Sequence, residues 1–549
     1  MAQSAQVLIA GAGPVGLTLA IELGLRGIPC VLIDKRDGSV PLPKMSGVTP
    51  RGMEICRRWG IADRVRSAGI PENHPGDIVY FTSLCGPELA RWEIPAAGVR
   101  NRRGYTPEPP CKCSQLYFDP ILAAFARSLP ALDVRYDTTL KSFTADGDGV
   151  TARLQSMGSC AEQELRCAYL IGCDGPNGVV RPSLGIELEG LGTVANSTNI
   201  FLRSRELASL HDKGWAHVYR AIDVTGCWSE LIPVNDTDLW RLTVFDDPSG
   251  GAHAHDMVRR FVGADFAFEI LSVLPWERRD HVARGYGEGR VFVAGDAAHE
   301  CSPTGGLGMH TGIEEALNLG WKIAAMVGGW GGPALLASYA AERRPIAVRN
   351  VHLATRSFQS IKQIPGYREG DRSWQQTLRE NLSRYIVTEH LRMQYCYEDS
   401  PICVADGTEP VVENHLKYTP SARPGTRAPH LWIDDATSIL DLFGLGFTLL
   451  RLGPDAPEGS DLIAAAQQRG VPIASAHLPS VEAKQLYEAD LCLVRPDGHV
   501  AWRSTQEPAV PAALIDHVRG ALRLVPEAQS QSRTPREIRR SFEERKATR

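Results

Sequence analysis

Short apolar runs, each closed by a glycine or an acid, punctuate this chain. Val7-Leu8-Ile9-Ala10 is the first and predicts a buried strand. Gly11, Gly13 and Gly16 follow it, and Leu17-Thr18-Leu19-Ala20-Ile21-Glu22-Leu23 predicts a helix. Val31-Leu32-Ile33 predicts a second strand, ending in Asp34. Far along the chain, Arg290-Val291-Phe292-Val293-Ala294 predicts a strand running into Gly295-Asp296. A turn, Pro303-Thr304-Gly305-Gly306-Leu307-Gly308, comes next, and then a helix from about Thr311 through Ala325. Residues 195–247 alternate apolar and polar, as in Trp240-Arg241-Leu242-Thr243-Val244-Phe245, which predicts a mostly antiparallel sheet. Residues 335–400, with Tyr339, Glu342, Arg343 and Arg344, read as helices. A Pro/Gly/Arg-rich link at 419–429 opens a last domain, and 527–549 is polar and charged, a frayed helix or a disordered tail.

Composition narrows the class. A chain of 549 residues predicts several domains, and 43% apolar with 22% charged residues is the balance of a globular protein. A net charge of −5 carries no nucleic-acid signature. No run of about 18 uninterrupted apolar residues offers a membrane span. Thirteen scattered cysteines without a signal peptide predict reduced thiols in a cytoplasmic protein. Cys111 and Cys113 form a CxC, read as packing.

The chemistry lies in two strings. In GAGPVG, Gly11, Gly13, Pro14 and Gly16 permit a tight turn and close backbone approach to a pyrophosphate. The helix start offers free N–H groups to the phosphates. Asp34, 23 residues beyond Gly11, stands where a ribose-binding carboxylate belongs, with Lys35 beside it. In GDAAHECSPTGGLGMH, Asp296 can accept hydrogen bonds from ribityl hydroxyls, Pro303 stands beside the isoalloxazine, and Gly306, Gly308, Met309 and His310 stand where backbone N–H groups reach it. A metal role for His299 and Cys301 lacks further ligands at suitable spacing.

Between them stands CDGPNGVVR, with Asp174 and Arg181. The three strings together resemble the fingerprints of the FAD-dependent aromatic hydroxylases, the single-component monooxygenases with a para-hydroxybenzoate-hydroxylase-like fold. The tail, SARPGTRAPHLWIDDATSILDLFGLGFTLLRLG and LVRPDGHVAW, is similar to that of the phenol-hydroxylase-like, RebC-type and piericidin- or chlorophenol-type members. The resemblance implies an α/β architecture: a Rossmann-like FAD domain, an interleaved antiparallel-sheet substrate domain and a C-terminal thioredoxin-like domain. The expected FAD domain comprises 1–75, 105–185 and 276–350, and the substrate domain 76–104 and 186–275. A helical connection covers 351–418, the thioredoxin-like domain 419–525 and the charged tail 526–549. Cys492 is the only cysteine after Cys403, so this last domain has no CxxC pair.

The resemblance also implies the chemistry. Noncovalent FAD is reduced by NADPH or NADH and reacts with O2 to a flavin 4a-hydroperoxide, which hydroxylates a phenolic or heteroaromatic ring in specialised or aromatic metabolism. No nucleic acid, metal or membrane enters the reaction, and a homo-oligomer is left open. The alternative is an FAD-containing binding protein that shelters a reactive intermediate. Gln115 matches the glutamine that touches the ribityl chain, and Lys44 stands where relatives often carry arginine. Gly178 replaces the usual serine or alanine. His310 is the candidate general base, with a structural role as the competing reading. Ser46, Cys227, Trp228, Leu231 and Pro303 are the candidate substrate contacts, whereas Arg278 and Arg279 are read as contacts to the cofactor domain.

Overall fold

The computed structural model describes residues 3–100, 104–371, 373–383, 388–410 and 412–521. The expected tail at 526–549 lies outside the described residues.

The apolar runs at both ends of the long first segment meet in one sheet. Strand Gln3–Ala10 pairs in parallel with Cys30–Ile33 on one side and Glu162–Gly172 on the other. Leu132–Arg135 extends the sheet beyond Cys30–Ile33, and Val291–Val293 extends it beyond Glu162–Gly172, both in parallel. Val7, Leu8, Ile9, Leu32, Leu170, Ile171, Val291 and Val293 are all buried. That is why these strands read as continuous apolar runs rather than as alternations: helices cover both faces of a parallel sheet. The helix Pro14–Leu25 packs against Gly308–Val327, and both are buried nearly all round.

The alternating region builds a second, mixed sheet of eight strands. Its middle is antiparallel: Glu269–Ala283, Leu188–Arg203, Leu239–Phe245, Gly226–Pro233 and Val218–Asp223. Strand Ile78–Phe81 joins Val218–Asp223 in parallel. Glu269–Ala283 remains paired with Leu188–Arg203 to its last residue. Helix Ala254–Val262 covers one face of this sheet, burying Trp228, Leu231, Trp240 and Leu242 with Val258 and Phe261.

The last domain is a four-stranded sheet in the order Ile473–Leu478, Phe447–Leu452, Leu491–Val494, Val500–Ser504. The first two pair in parallel around helix Ser460–Gln468, and the rest are antiparallel, followed by helix Pro511–Val518. This is the thioredoxin-like arrangement. Cys492 is buried in it, and burial pushes its thiol well up. Among the described residues no helix is long and apolar enough to cross a membrane.

Buried charge docks this domain on the others. Glu342 takes Lys322 at 2.7 Å and Arg495 at 2.6 Å, and Arg495 also holds Asp497 at 2.6 Å. Glu54 is paired with Arg427, and Arg51 donates to the Asp497 carbonyl at 2.6 Å. Glu22 pairs with Arg26 and Arg58, which themselves donate to the carbonyls of Leu445 and Pro496.

Candidate flavin and substrate site

The glycine turn closes against the middle motif. Gly11 sits at φ +106°, and a Cβ there would lie 2.2 Å from the Cys173 carbonyl oxygen. A Cβ at Gly16 would lie 1.9 Å from the Gly11 carbonyl oxygen, so both glycines are sterically required. A Cβ at Gly13, in contrast, would meet nothing within 4 Å. Gly13 caps helix Pro14–Leu25, whose first turn has no side-chain cap and no acid. Open space therefore faces unpaired N–H groups and the positive end of a helix, which suits a pyrophosphate.

Asp34 turns back onto this loop. Its Oδ2 accepts from the Ala12 N–H at 2.9 Å, and its Oδ1 accepts from the Arg36 N–H at 2.9 Å. The Arg36 guanidinium pairs with the same carboxylate, a partner that no sequence pattern announced; Lys35 points outward. Gln115 and Asp119 share a helix face at i, i+4, with Gln115 Nε2 donating to Asp119 Oδ2 at 2.9 Å. Gln115 Oε1 accepts from the Lys44 N–H at 3.1 Å, which ties down the loop after the second strand. Asp119 Oδ1 is buried without a partner, and burial pushes this carboxyl up to about 7.

The distant motif arrives at the same place. A Cβ on Gly312 would lie 2.6 Å from Val15 Cγ2 and 2.9 Å from Gly295 Cα, so the Val15 side chain of the first string packs directly against the backbone of the third. Glu315 holds this junction: its carboxylate accepts from the Gly295 N–H at 2.8 Å and meets His299 Nε2 at 3.2 Å. Burial alone would lower His299, but Glu315 outweighs it and raises it. Asp296, between them, is exposed, and among the described residues its carboxylate has no hydrogen-bond partner. Helix Gly308–Val327 begins without a side-chain cap or an acid in its first turn. Gly305 and Gly306 before it sit at φ +83° and +61°. Arg343 fixes the helix by donating to the Thr311 carbonyl at 3.1 Å and to the hydroxyls of Tyr395 and Tyr397.

Free ribityl acceptor, open phosphate turn and two uncapped helix starts form one continuous cradle, and these residues fit an FAD. The middle motif supports it from behind. Asp174 Oδ2 accepts from the N–H groups of Val179 and Val180 at 2.6 and 3.1 Å. A Cβ at Gly178 would lie 2.1 Å from the Asp174 carboxyl carbon, so here the carboxylate fills the space of the side chain that relatives carry.

His310 lies at the start of the long helix but is enclosed. Its Nδ1 meets the Thr49 hydroxyl at 3.2 Å and its Nε2 meets the Gly47 carbonyl at 3.3 Å. The carbonyl can only accept, so Nε2 carries the proton, and the one ring lone pair is taken by Thr49. Burial, reinforced by Arg392, pulls this imidazole down to about 3. A neutral ring with both nitrogens engaged braces the loop at 47–49 and has no free position from which to take a substrate proton.

The second sheet turns its other face to this cradle, part of it packed under helices Ala337–Lys362 and Trp374–Ser383. Arg241 Nη1 donates to the carbonyls of Pro43 and Lys44 at 2.8 and 2.9 Å, and Arg278 Nη1 reaches the hydroxyls of Ser302 and Thr304 at 3.1 and 3.4 Å. Five residues in register cross that face: Asn199, Thr243, Glu230, Arg220 and Tyr80. Thr243 donates to Asn199 at 2.9 Å, and Arg220 joins Glu230 at 3.4 Å to the Tyr80 hydroxyl at 3.1 Å. Ser46 is half-buried and Pro303 exposed, in the loops that Arg241 and Arg278 tie to this face. Trp228 and Leu231 are not on this face. They lie on the opposite face under helix Ala254–Val262, where Arg260 stacks 4.1 Å from the Trp228 ring. Where Ala221 and Ile222 face Ser229 and Cys227, Trp228 is the extra residue of a bulge and turns to the helix side, whereas Leu231 reaches that side by ordinary alternation opposite Tyr219 and Leu242. Cys227 shares a cluster with Phe245, Phe358 and Trp374, and burial pushes its thiol up to about 12. Lys112 is turned to the carbonyls of His74 and Pro75. A separate surface cavity of about 560 Å³, lined by Tyr169, Tyr286, Arg290 and Leu336, shares no residue with the cradle.

Comparison with known proteins agrees with this geometry. Residues 4–354 match the family model described as FAD binding domain, and residues 421–523 match that of the aromatic-ring hydroxylase C-terminal domain. A putative polyketide hydroxylase of Streptomyces halstedii is 35% identical, over 92% of this chain and 94% of the relative. Among solved structures, the rebeccamycin biosynthetic enzyme RebC with reduced flavin aligns with a TM-score of 0.88 at 35% identity, covering 95% of this chain and all of that one. The flavin-dependent monooxygenase PieE, in complex with FAD and substrate, aligns with a TM-score of 0.86 at 27% identity over 94% of this chain and 99% of that one.

Proposed function

The chain belongs to the FAD-dependent aromatic-ring hydroxylases, and from that premise we propose that it uses NADPH or NADH and O2 to hydroxylate a phenolic or heteroaromatic ring in specialised metabolism. Bound FAD supplies the redox chemistry, accepting electrons from the nicotinamide and activating dioxygen. The chain does the rest. Gly13 and the first helix hold the pyrophosphate, Asp34 the adenosine ribose, and Asp296 with Gln115 the ribityl chain. Pro303 lines the turn, Leu307 to Met309 offer backbone N–H groups to the ring, and the glycines at 305 and 306 give that loop room to move. His310 braces the loop. The second sheet roofs the chamber, orienting the substrate and excluding water.

The observation that carries this reading is the free Asp296 carboxylate beside an uncapped helix start, opening onto a chamber with a polar ladder across its roof. The test is NAD(P)H oxidation by the purified protein against a panel of phenols, hydroxypyridines and hydroxylated polycyclic quinones, with product mass under ¹⁸O2. We expect slow oxidation alone, faster oxidation with a true substrate, and one ¹⁸O atom per product. Stimulated oxidation with no labelled product from any ring would contradict hydroxylation and leave the sheltering role.

A further inference from the structure

Arg278 is 1% exposed and forms no ion pair among the described residues. Its hydrogen bonds go to neutral hydroxyls only: Nε to Ser197 at 3.0 Å, Nη1 to Ser302 at 3.1 Å and Thr304 at 3.4 Å. Nη2 has no hydrogen-bond partner among the described residues. The guanidinium lies 4.2 Å from the Phe358 ring, 4.6 Å from Trp276 and 5.2 Å from Phe245. Trp276 Nε1 beside it is a second buried donor without a partner. Glu230 and Asp246 lie within electrostatic reach and offset part of its burial, but neither contacts it: Glu230 is paired with Arg220 at 3.4 Å and Asp246 with Lys362 at 2.7 Å, and the Arg241 cation opposes it. Burial pulls Arg278 down to about 10, so it remains a cation at neutral pH.

A buried cation without a counter-charge is costly, and a structural strut at this position could be neutral. The hydroxyls it grips flank Pro303, at the junction of cradle and chamber. The rings of Trp276, Phe245 and Phe358 stand around it, and two donors, its own Nη2 and Trp276 Nε1, are left unspent. We propose that Arg278, with Trp276 Nε1, forms an anion subsite that receives an ionised oxygen substituent, carboxylate or phenolate, of the aromatic substrate. The proposal rests on the aromatic-substrate reading given above. It also answers what His310 leaves open. A fixed cation beside a phenol favours the ionised, electron-rich ring without any side chain acting as base.

The test uses the FAD-loaded enzyme and three flat probes: anthraquinone-2-carboxylate, its neutral carboxamide, and 2-hydroxyanthraquinone. Calorimetry should give the carboxylate about tenfold or more tighter binding than the carboxamide, as a charge-assisted hydrogen bond predicts. R278Q should erase that preference and leave the carboxamide within about twofold, at unchanged FAD per chain. R278K, which keeps charge but not the planar fork, should retain part of it. Below its solution pKa, 2-hydroxyanthraquinone should take on the phenolate absorbance when bound to the wild type and not to R278Q. A spectral shift without a carboxylate preference assigns the subsite to phenolates, and the reverse to carboxylates. Equal binding of all probes by the wild type, or a preference that survives in R278Q, overturns the subsite alone. A changed flavin potential in R278Q with the preference intact overturns it too, by making the flavin the partner. If no probe binds the wild type, the aromatic-substrate reading fails and the subsite with it.

Discussion

The flavin cradle and the seat of the C-terminal domain are both lined with charge and buried backbone, yet they treat polar groups in opposite ways. At the seat, Glu22, Glu54, Glu342 and Asp497 each meet at least one arginine. In the cradle, Asp296, one oxygen of Asp119 and two helix starts are left unspent. Paired charge marks where the protein has bound itself, and unpaired donors and acceptors mark where something else belongs. A buried ion pair adds little net stability when whole, but breaking one leaves an uncompensated charge. The two regions should therefore fail differently.

The largest effect is expected at the seat. Arg495→Met strands Glu342 between Lys322 and Asp497 and should lower stability by about 3–5 kcal/mol, read by denaturant or thermal unfolding. The folded fraction should keep its FAD. Loss of FAD at unchanged stability would erase the distinction between the regions.

Acid should act on the seat next. Burial raises Glu22, but Arg58, Arg26 and Trp59 outweigh it and hold the carboxyl down at about 2, against about 4.3 in an unfolded chain. A depressed folded value means the stabilisation is complete above the unfolded pKa and is lost as pH falls through the folded one. Between pH ~4.5 and ~2 this group alone should remove about 3 kcal/mol. Glu22→Gln should flatten that part of the pH–stability curve, and an unchanged slope would mean that Glu22 is not held by its arginines.

The cradle should respond in affinity rather than stability. Asp296→Ala removes an acceptor for ribityl hydroxyls, about 1.5–3 kcal/mol of FAD binding, while the apoprotein should melt within ~0.5 kcal/mol of wild type because the carboxylate has no protein partner to lose. Titration of apoprotein with FAD checks the first and unfolding of the apoprotein checks the second.

His310→Asn should be the mildest. Losing the ring bonds to Thr49 and Gly47 costs about 1 kcal/mol of stability. Product formed per NAD(P)H should stay constant from pH 6 to 9, since the ring at about 3 does not titrate there. Coupling that recovers as pH rises would restore His310 as the base.

How far these features were legible in the chain follows from their range. The parallel strands, the glycine turn and the third motif were readable because each is a contiguous string whose local geometry needs those residue types: Gly11 and Gly16 have no room for a Cβ. The antiparallel roof was readable as alternation, but its facing was not. A bulge at Trp228, between the pairs Ala221–Ser229 and Ile222–Cys227, turns that ring into the core beside Leu231, under a helix that no local pattern tied to them. Arg36 on Asp34, Glu315 on Gly295 and His299, and Arg278 on Ser302 carry no signature, since each depends on a partner set by the fold. Gly178 shows the reverse case: a departure from the family pattern explained only when Asp174 is seen in its place.

The central claim is that the unspent groups of the cradle are the seat of a noncovalent FAD. Acid precipitation of the purified yellow protein, with chromatography of the supernatant and flavin counted per chain, tests it most directly. The account predicts one FAD per chain, released in full. Flavin retained in the pellet, FMN in its place, or a protein that binds no flavin at all would contradict it.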